Sequence, residues 1–176
     1  MNDERQDILR KLIRDVPDFP KPGVIFKDIT TLLKEPQGLA IAVDLLAEQL
    51  EGRNLEQVVA IESRGFLFGA PLALRLGTGL IPVRKPGKLP AETERETYDL
   101  EYGTDSLEIH RDAIEPGVRV VVVDDVLATG GTAEATVRML KRLGAEVDSV
   151  AFVIELDFLG GRAKLGDLEI VTLLHY

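Results

Sequence analysis

VVVVDDVLATGGT, running from Val120 to Thr132, is the stretch whose reading decides the fold. Four consecutive valines suit a strand buried on both faces of a parallel sheet, where no polar alternation is needed. Two carboxylates, Asp124 and Asp125, follow at the end of the valine run, then a small-residue loop, and from Thr132 to Leu143 the apolar spacing is helical. Strand, loop and helix in that order form the repeating unit of a doubly wound α/β domain. Ligands of such sheets sit outside the carboxyl ends of the strands, where Asp124 and Asp125 lie.

The two halves of the turn differ in chemistry. Ionised carboxylates only accept hydrogen bonds, so an adjacent pair suits the donating hydroxyls of a vicinal diol; they can also touch a metal-bound water. Ala128-Thr129-Gly130-Gly131-Thr132 offers hydroxyls and free backbone N–H groups just ahead of a helix, which is an anion site that glycine lets a phosphate approach closely. An acid pair followed by a phosphate cradle fits ribose 5-phosphate. In the plainer alternative Asp124-Asp125 opens an ordinary turn and Thr129 or Thr132 caps the helix; the acids after four valines weigh against it. GxGxxG is absent from the turn after each strand. KPGKLP has a Gly-Lys pair but no following Ser or Thr and no strand-loop-helix around it, which disfavours dinucleotide and P-loop sites.

Outward from this stretch, VVAI from Val58 and VAFVI from Val150 give two more buried strands, and Phe66 to Leu76 a further helix. Upstream, Ile8, Leu9, Leu12, Ile13 and Val16 predict one amphipathic helix over the first 16 residues, ended by Pro17, Pro20 and Pro22. A turn-rich segment to Ile29 leads to a helix from about Gln37 to Leu50. Arg84 to His110 breaks the rhythm. It begins with basic RKPGKLP and continues with alternation at Tyr98, Leu100, Tyr102, Leu107 and Ile109, a long mobile loop feeding a hairpin about Gly103-Thr104-Asp105. The expected fold is α/β: a single domain over 1–176, a mostly parallel sheet flanked by helices, with a small N-terminal hood (about 1–35) and a loop-hairpin lid (about 84–110).

With 30 acidic against 21 basic residues, the formal charge of −9 disfavours nucleic acid as a partner. A polyanionic substrate must therefore meet a local cluster of cations. No cysteine is present, the first 16 residues are charged throughout, and no run approaches the ~18 apolar residues of a membrane span, so a soluble, cytoplasmic protein without an export signal or membrane partner is expected.

VVVVDDVLATGGT resembles the 5-phosphoribosyl-1-pyrophosphate (PRPP) motif of the type I phosphoribosyltransferases. FPKPGVIFKDIT from Phe19, ESRGFLFGAPLA from Glu62, VRKPGKLP from Val83 and LEYG from Leu100 are together similar to the adenine-using branch of that family, in the family's order, from about Phe19 to the C-terminus. The resemblance implies transfer of a ribosyl 5-phosphate from PRPP to adenine, giving AMP and pyrophosphate in purine salvage, with magnesium (Mg2+) as cofactor on the pyrophosphate. No direct protein ligand to the metal is implied, and Asp124 and Asp125 would reach it through water. It implies that Asp124, Asp125 and Ala128 to Thr132 hold the phosphoribosyl group. Arg64, whose planar fork suits phosphate oxygens, would bind the pyrophosphate, aided by Arg84 and Lys88. Glu101 would face the imidazole ring of the base and organise loss of its proton. Phe26 would stack on adenine, with Val126 on the opposite face, and backbone groups of the segment Val24-Ile25-Phe26-Lys27 would read its amino group. A homodimer is implied too. The alternatives are a transferase for a xanthine, hypoxanthine, orotate or uracil base, a PRPP-sensing regulator, and a nucleotide-binding structural subunit. His110 and His175 fall in no motif, and acidic AETERE (91–96) leaves open which face of the lid turns inward.

Overall fold

The computed structural model describes residues 4–99 and 103–176. Its centre is a five-stranded sheet in the order β4-β3-β7-β8-β9, formed by β3 (Gln57–Ile61), β4 (Gly79–Val83), β7 (Arg119–Leu127), β8 (Glu146–Glu155) and β9 (Glu169–His175). Every pairing in it is parallel. The remaining strands make two antiparallel pairs: β1 (Arg14–Pro17) with β2 (Ile25–Asp28), and β5 (Thr93–Asp99) with β6 (Thr104–His110). The expected mostly parallel α/β sheet is the fold observed.

The valines show how sequence becomes layers. Val121 and Val123 enter one core with helices α1 (Glu4–Leu12), α2 (Thr30–Lys34), α3 (Pro36–Leu50) and α4 (Gly65–Leu76). Val120 and Val122 enter the other, against α5 (Gly131–Arg142) and the β5–β6 hairpin. All four are fully buried, each contributing about 1.5–3 kcal/mol relative to exposure. Both faces of β7 are therefore held, and its far end is the free variable.

Three expectations need correction. The N-terminal helix stops at Leu12, and Arg14–Pro17 is a strand whose Val16 pairs with Phe26; Val16 satisfies a helical spacing and a strand partner equally, and the partner wins. The acid pair does not follow β7 but lies within it, since pairing with β8 continues to Leu127. The loop after Arg84 is shorter than expected because β5 begins at Thr93. Two of the three AETERE acids, both on β5, turn to α5, with Glu96 on Arg138 Nε (2.8 Å) and Glu94 on Arg142 Nε (2.9 Å), while Glu92 lies 3.8 Å from Arg111. Strands β2, β4 and β9 and helix α2 are additions. β4 carries Pro82, which the ladder tolerates because β4 is an edge strand.

Candidate functional site

In this sheet the strands all run parallel, but the order in which they are added reverses between β3 and β7: β4 lies on one side of β3, and β7, β8 and β9 follow on the other; the crevice at such a switch point is where open α/β sheets bind ligands. A cleft of about 300 Å3 opens there. The turn leaving β3 brings Arg64 to one side. Gly65 makes this possible, because a Cβ on it would lie 2.7 Å from the Val123 carbonyl oxygen; only glycine lets the start of α4 lie on the main chain of β7. Arg64 Nε then stands 2.8 Å from Asp125 Oδ2.

Asp125 is buried and Asp124 half-buried beside it. Burial raises the pKa of Asp124, and the Asp125 charge raises it further; Asp125 is raised by burial, with Arg64 opposing. Asp125 Oδ2 is fully enclosed, and the Arg64 guanidinium 2.8 Å away pairs with its charge without meeting it in hydrogen-bond geometry.

Beyond the acids the chain turns through Ala128 and Thr129 into α5, with Gly130 at φ 78°. The turn rests on another: a Cβ on Gly161 would lie 2.2 Å from the Ala128 carbonyl oxygen and 2.9 Å from the Gly130 nitrogen. Backbone lies on backbone here, leaving the first N–H groups of α5 open to the cleft. The opposite wall is the β1–β2 hairpin. Its Phe26 ring meets Phe19 edge-on at 5.2 Å, and the Arg64 guanidinium lies 5.5 Å from the ring centre.

Most of the expected site residues meet in this one cleft. Val24, Ile25, Phe26 and Lys27 form its outer wall, Arg64, Asp124, Asp125 and Val126 its floor, and Ala128 to Thr132 its far end. Lys27 contributes its stem and main chain, because its ammonium pairs with Asp15 at 2.7 Å and lies 3.9 Å from the centre of the Tyr176 ring. Arg84 and Lys88 are not in the cleft wall. Arg84 is engaged by Glu62 (Nε to Oε2, 3.0 Å), and Lys88 is exposed. Glu62 also accepts from the Lys85 backbone N–H at 2.8 Å; Arg84 first, with that N–H, holds its carboxyl below the usual range against burial. Glu101 falls between β5 and β6, outside the described residues.

Sequence reasoning missed Phe152 and Leu156, which complete the cleft from β8 and the turn after it, and Gly161 beneath the loop. The signal was present, since VAFVI is a parallel strand whose carboxyl end must open on the same crevice, and Gly160-Gly161 follows it. Glu62 carried no signal apart from its neighbour Arg64.

Comparison with known proteins agrees with this geometry. Residues 28–165 match the phosphoribosyl transferase domain model. The chain is 61% identical over 168 residues to an adenine phosphoribosyltransferase of Acidobacterium capsulatum, covering 96% of this chain and 93% of the relative. It is 59% identical over 170 residues to one from Synechocystis, covering 96% and 99%. The crystal structure of the Thermoanaerobacter pseudethanolicus adenine phosphoribosyltransferase superposes with a TM-score of 0.95 at 54% identity, covering 97% of this chain and 99% of that one. The Saccharomyces cerevisiae enzyme, complexed with an imino-altritol bisphosphate and adenine, superposes at 0.92 with 41% identity, covering 97% and 99%. With a switch-point cleft that joins a buried acid pair, an anion loop and an aromatic wall, and with relatives this similar over almost its whole length, the chain belongs to the adenine phosphoribosyltransferase family.

Proposed function

We propose that this cleft binds PRPP and adenine and makes AMP and pyrophosphate, the reaction of purine salvage, with the residues in the following roles. The observation that carries the reading is the continuity of one cleft from the Phe26 wall, across the acid pair and the Arg64 guanidinium 2.8 Å from Asp125, to the N-terminus of α5. Asp124 and Asp125 accept the ribose hydroxyls. The backbone N–H groups and hydroxyls from Ala128 to Thr132 take the 5-phosphate, and Arg64 takes the pyrophosphate. Phe26 and Val126 sandwich adenine, and the main chain at Val24 and Lys27 supplies the acceptor its amino group needs and a 6-oxo purine would not satisfy.

The bond from ribose C1 to pyrophosphate breaks as adenine N9 bonds to C1. Positive charge builds on the sugar and negative charge on the departing group, so cations belong at the pyrophosphate end. Arg84 and Lys88, at the root of the 84–110 segment that we read as a lid, add charge there once Arg84 leaves Glu62. Glu101 takes or orients the proton lost from adenine. Magnesium would neutralise the pyrophosphate; the carboxylates of Asp124 and Asp125, both in the lining of the cleft, fit a water-mediated contact with it.

We also read the protein as a cytoplasmic homodimer. Leu67 and Leu74, one helical repeat of seven apart on α4, are 45% and 84% exposed and belong to one apolar stripe of that helix. Among the described residues no helix is long and apolar enough to cross a membrane. Mixing the protein with PRPP and adenine should release AMP and pyrophosphate in equal amounts; label entering from guanine or orotate in place of adenine would overturn the assignment.

A further inference from the structure

We propose that Tyr98 is a positioning residue which, held by Lys85 and Asp105, aims the Thr132 hydroxyl at the 5-phosphate; this rests on the phosphoribosyl reading of the cleft. Thr132 stands where the anion loop passes into α5 and lines the cleft. Behind it, on the side away from the ligand, lies the phenol of Tyr98, only 5% exposed in the core between the β5–β6 hairpin and α5. A buried phenol needs one hydrogen-bond partner. This one has three, each from a different part of the chain.

Thr132 Oγ1 donates to Tyr98 Oη at 3.3 Å. Lys85 Nζ, from the loop after β4, donates to the same oxygen at 3.3 Å. Tyr98 in turn donates to Asp105 Oδ2, its cross-strand neighbour on β6, at 3.2 Å. Lys85 and Asp105 close the ring with an ion pair. Burial pulls the Lys85 ammonium down, but the Asp105 carboxylate and the Tyr98 oxygen outweigh it and hold it above its ordinary value, so Lys85 is charged throughout the working range. The carboxyl of Asp105 lies below its ordinary value, Lys85 and the Ser106 N–H outweighing burial.

This arrangement allows the direction of donation to reverse. A phosphate arriving at the loop is an acceptor, so the Thr132 hydrogen must turn from Tyr98 to the phosphate. The Tyr98 hydrogen can then turn from Asp105 to the vacated lone pair of Thr132, because Asp105 keeps two donors: Lys85 and the Ser106 backbone N–H at 2.8 Å. No bond is made or broken; two hydroxyl hydrogens rotate. The result is a chain of donors from the Lys85 ammonium through Tyr98 and Thr132 to the phosphate, each link polarising the next. A phosphate would thereby feel a lysine that does not touch it, and its arrival would be sensed by both strands of the hairpin.

The test is a double-mutant cycle. Tyr98→Phe should raise KM for PRPP about five- to tenfold, leaving kcat and the KM for adenine within about twofold. In the Thr132→Val background the same substitution should change nothing further. An equal rise in both backgrounds, or an unchanged KM in Tyr98→Phe, would overturn the proposal. Thermal unfolding of each variant controls for folding; should Tyr98→Phe fail to fold, Asp105→Asn and Lys85→Met against Thr132→Val decide by the same criterion. Wild-type protein that makes no AMP from PRPP and adenine would instead overturn the functional reading on which this rests.

Discussion

Asp125 and Arg64 show how one contact can serve two states. Without ligand, Arg64 offsets the charge of a buried carboxylate and lies beneath the Phe26 ring; with pyrophosphate present, the same guanidinium has a better partner. Removing the carboxylate in Asp125→Ala should raise KM for PRPP at least tenfold, whereas Glu101→Gln should chiefly lower kcat, and steady-state kinetics with each substrate varied would separate the two. An unchanged kcat in Glu101→Gln would remove that residue from the proposed chemistry. The pH dependence has a definite sign. The pKa values of Asp124 and Asp125 lie above the ordinary carboxylate value, so on acidification the acceptor form is lost earlier than for an exposed aspartate, and KM for PRPP should rise on the acid side. Arg64 opposes protonation of Asp125; Arg64→Gln should therefore move that acid limb to higher pH, and a limb that stays in place would show that the acids do not set it. Of these residues, the carboxylates were legible in sequence because they interrupt a valine run. Their environment was not, since burial depends on strands far away in the chain.

Two elements hold the cleft in shape without entering the proposed chemistry. The β1–β2 hairpin that carries Phe26 is anchored by Asp28, which accepts from the Thr30 backbone N–H and hydroxyl, each at 2.9 Å, and from Arg14 Nε at 3.1 Å. These bonds, the Thr30 N–H foremost, hold its pKa down to about 2 from 3.8. A depressed folded-state pKa means stability that is present above 3.8 and lost as the pH falls through about 2. Asp28→Asn should thus lower Tm by a few degrees at neutral pH, with the gap from wild type narrowing below about pH 4; a gap constant with pH would deny the anchor its charge. Beneath the phosphate loop, Gly161 matters for its missing side chain. Gly161→Ala would drive a methyl group into the Ala128 carbonyl, and we expect loss of measurable PRPP binding by calorimetry while the far-ultraviolet dichroism stays near wild type. The paired glycines were visible in sequence, but not what they lie against.

At the scale of the whole molecule, Leu67 and Leu74 expose an apolar stripe on α4 that a partner protomer would cover. Leu74→Glu should turn a dimer into a monomer in sedimentation velocity, with little change in Tm per protomer measured at low concentration; a wild-type protein that sediments as a monomer would refute the dimer directly. The sheet itself was largely readable: the runs from Val58, Val120 and Val150 are long and apolar because strands covered on both faces have no solvent side to mark. β4 and β9 escaped notice because GLIPV carries a proline that only an edge position excuses, and EIVTLLH is flanked by no recognisable turn. Arg14 to Val16 read as the end of a helix in the sequence because short apolar spacings fit either period until a partner strand chooses. By itself the sequence determined the parallel α/β class and the acid pair and anion loop at the end of the valines, since buried runs, carboxylates and glycines are local signals. Only the tertiary structure decided that β3 and β7 lie side by side. That neighbourhood sets Arg64 on Asp125, turns Phe26 over both, carries Arg84 away to Glu62 and puts Tyr98 behind Thr132. Each of these contacts joins residues far apart in the chain, and such distances are set by the packing of whole layers.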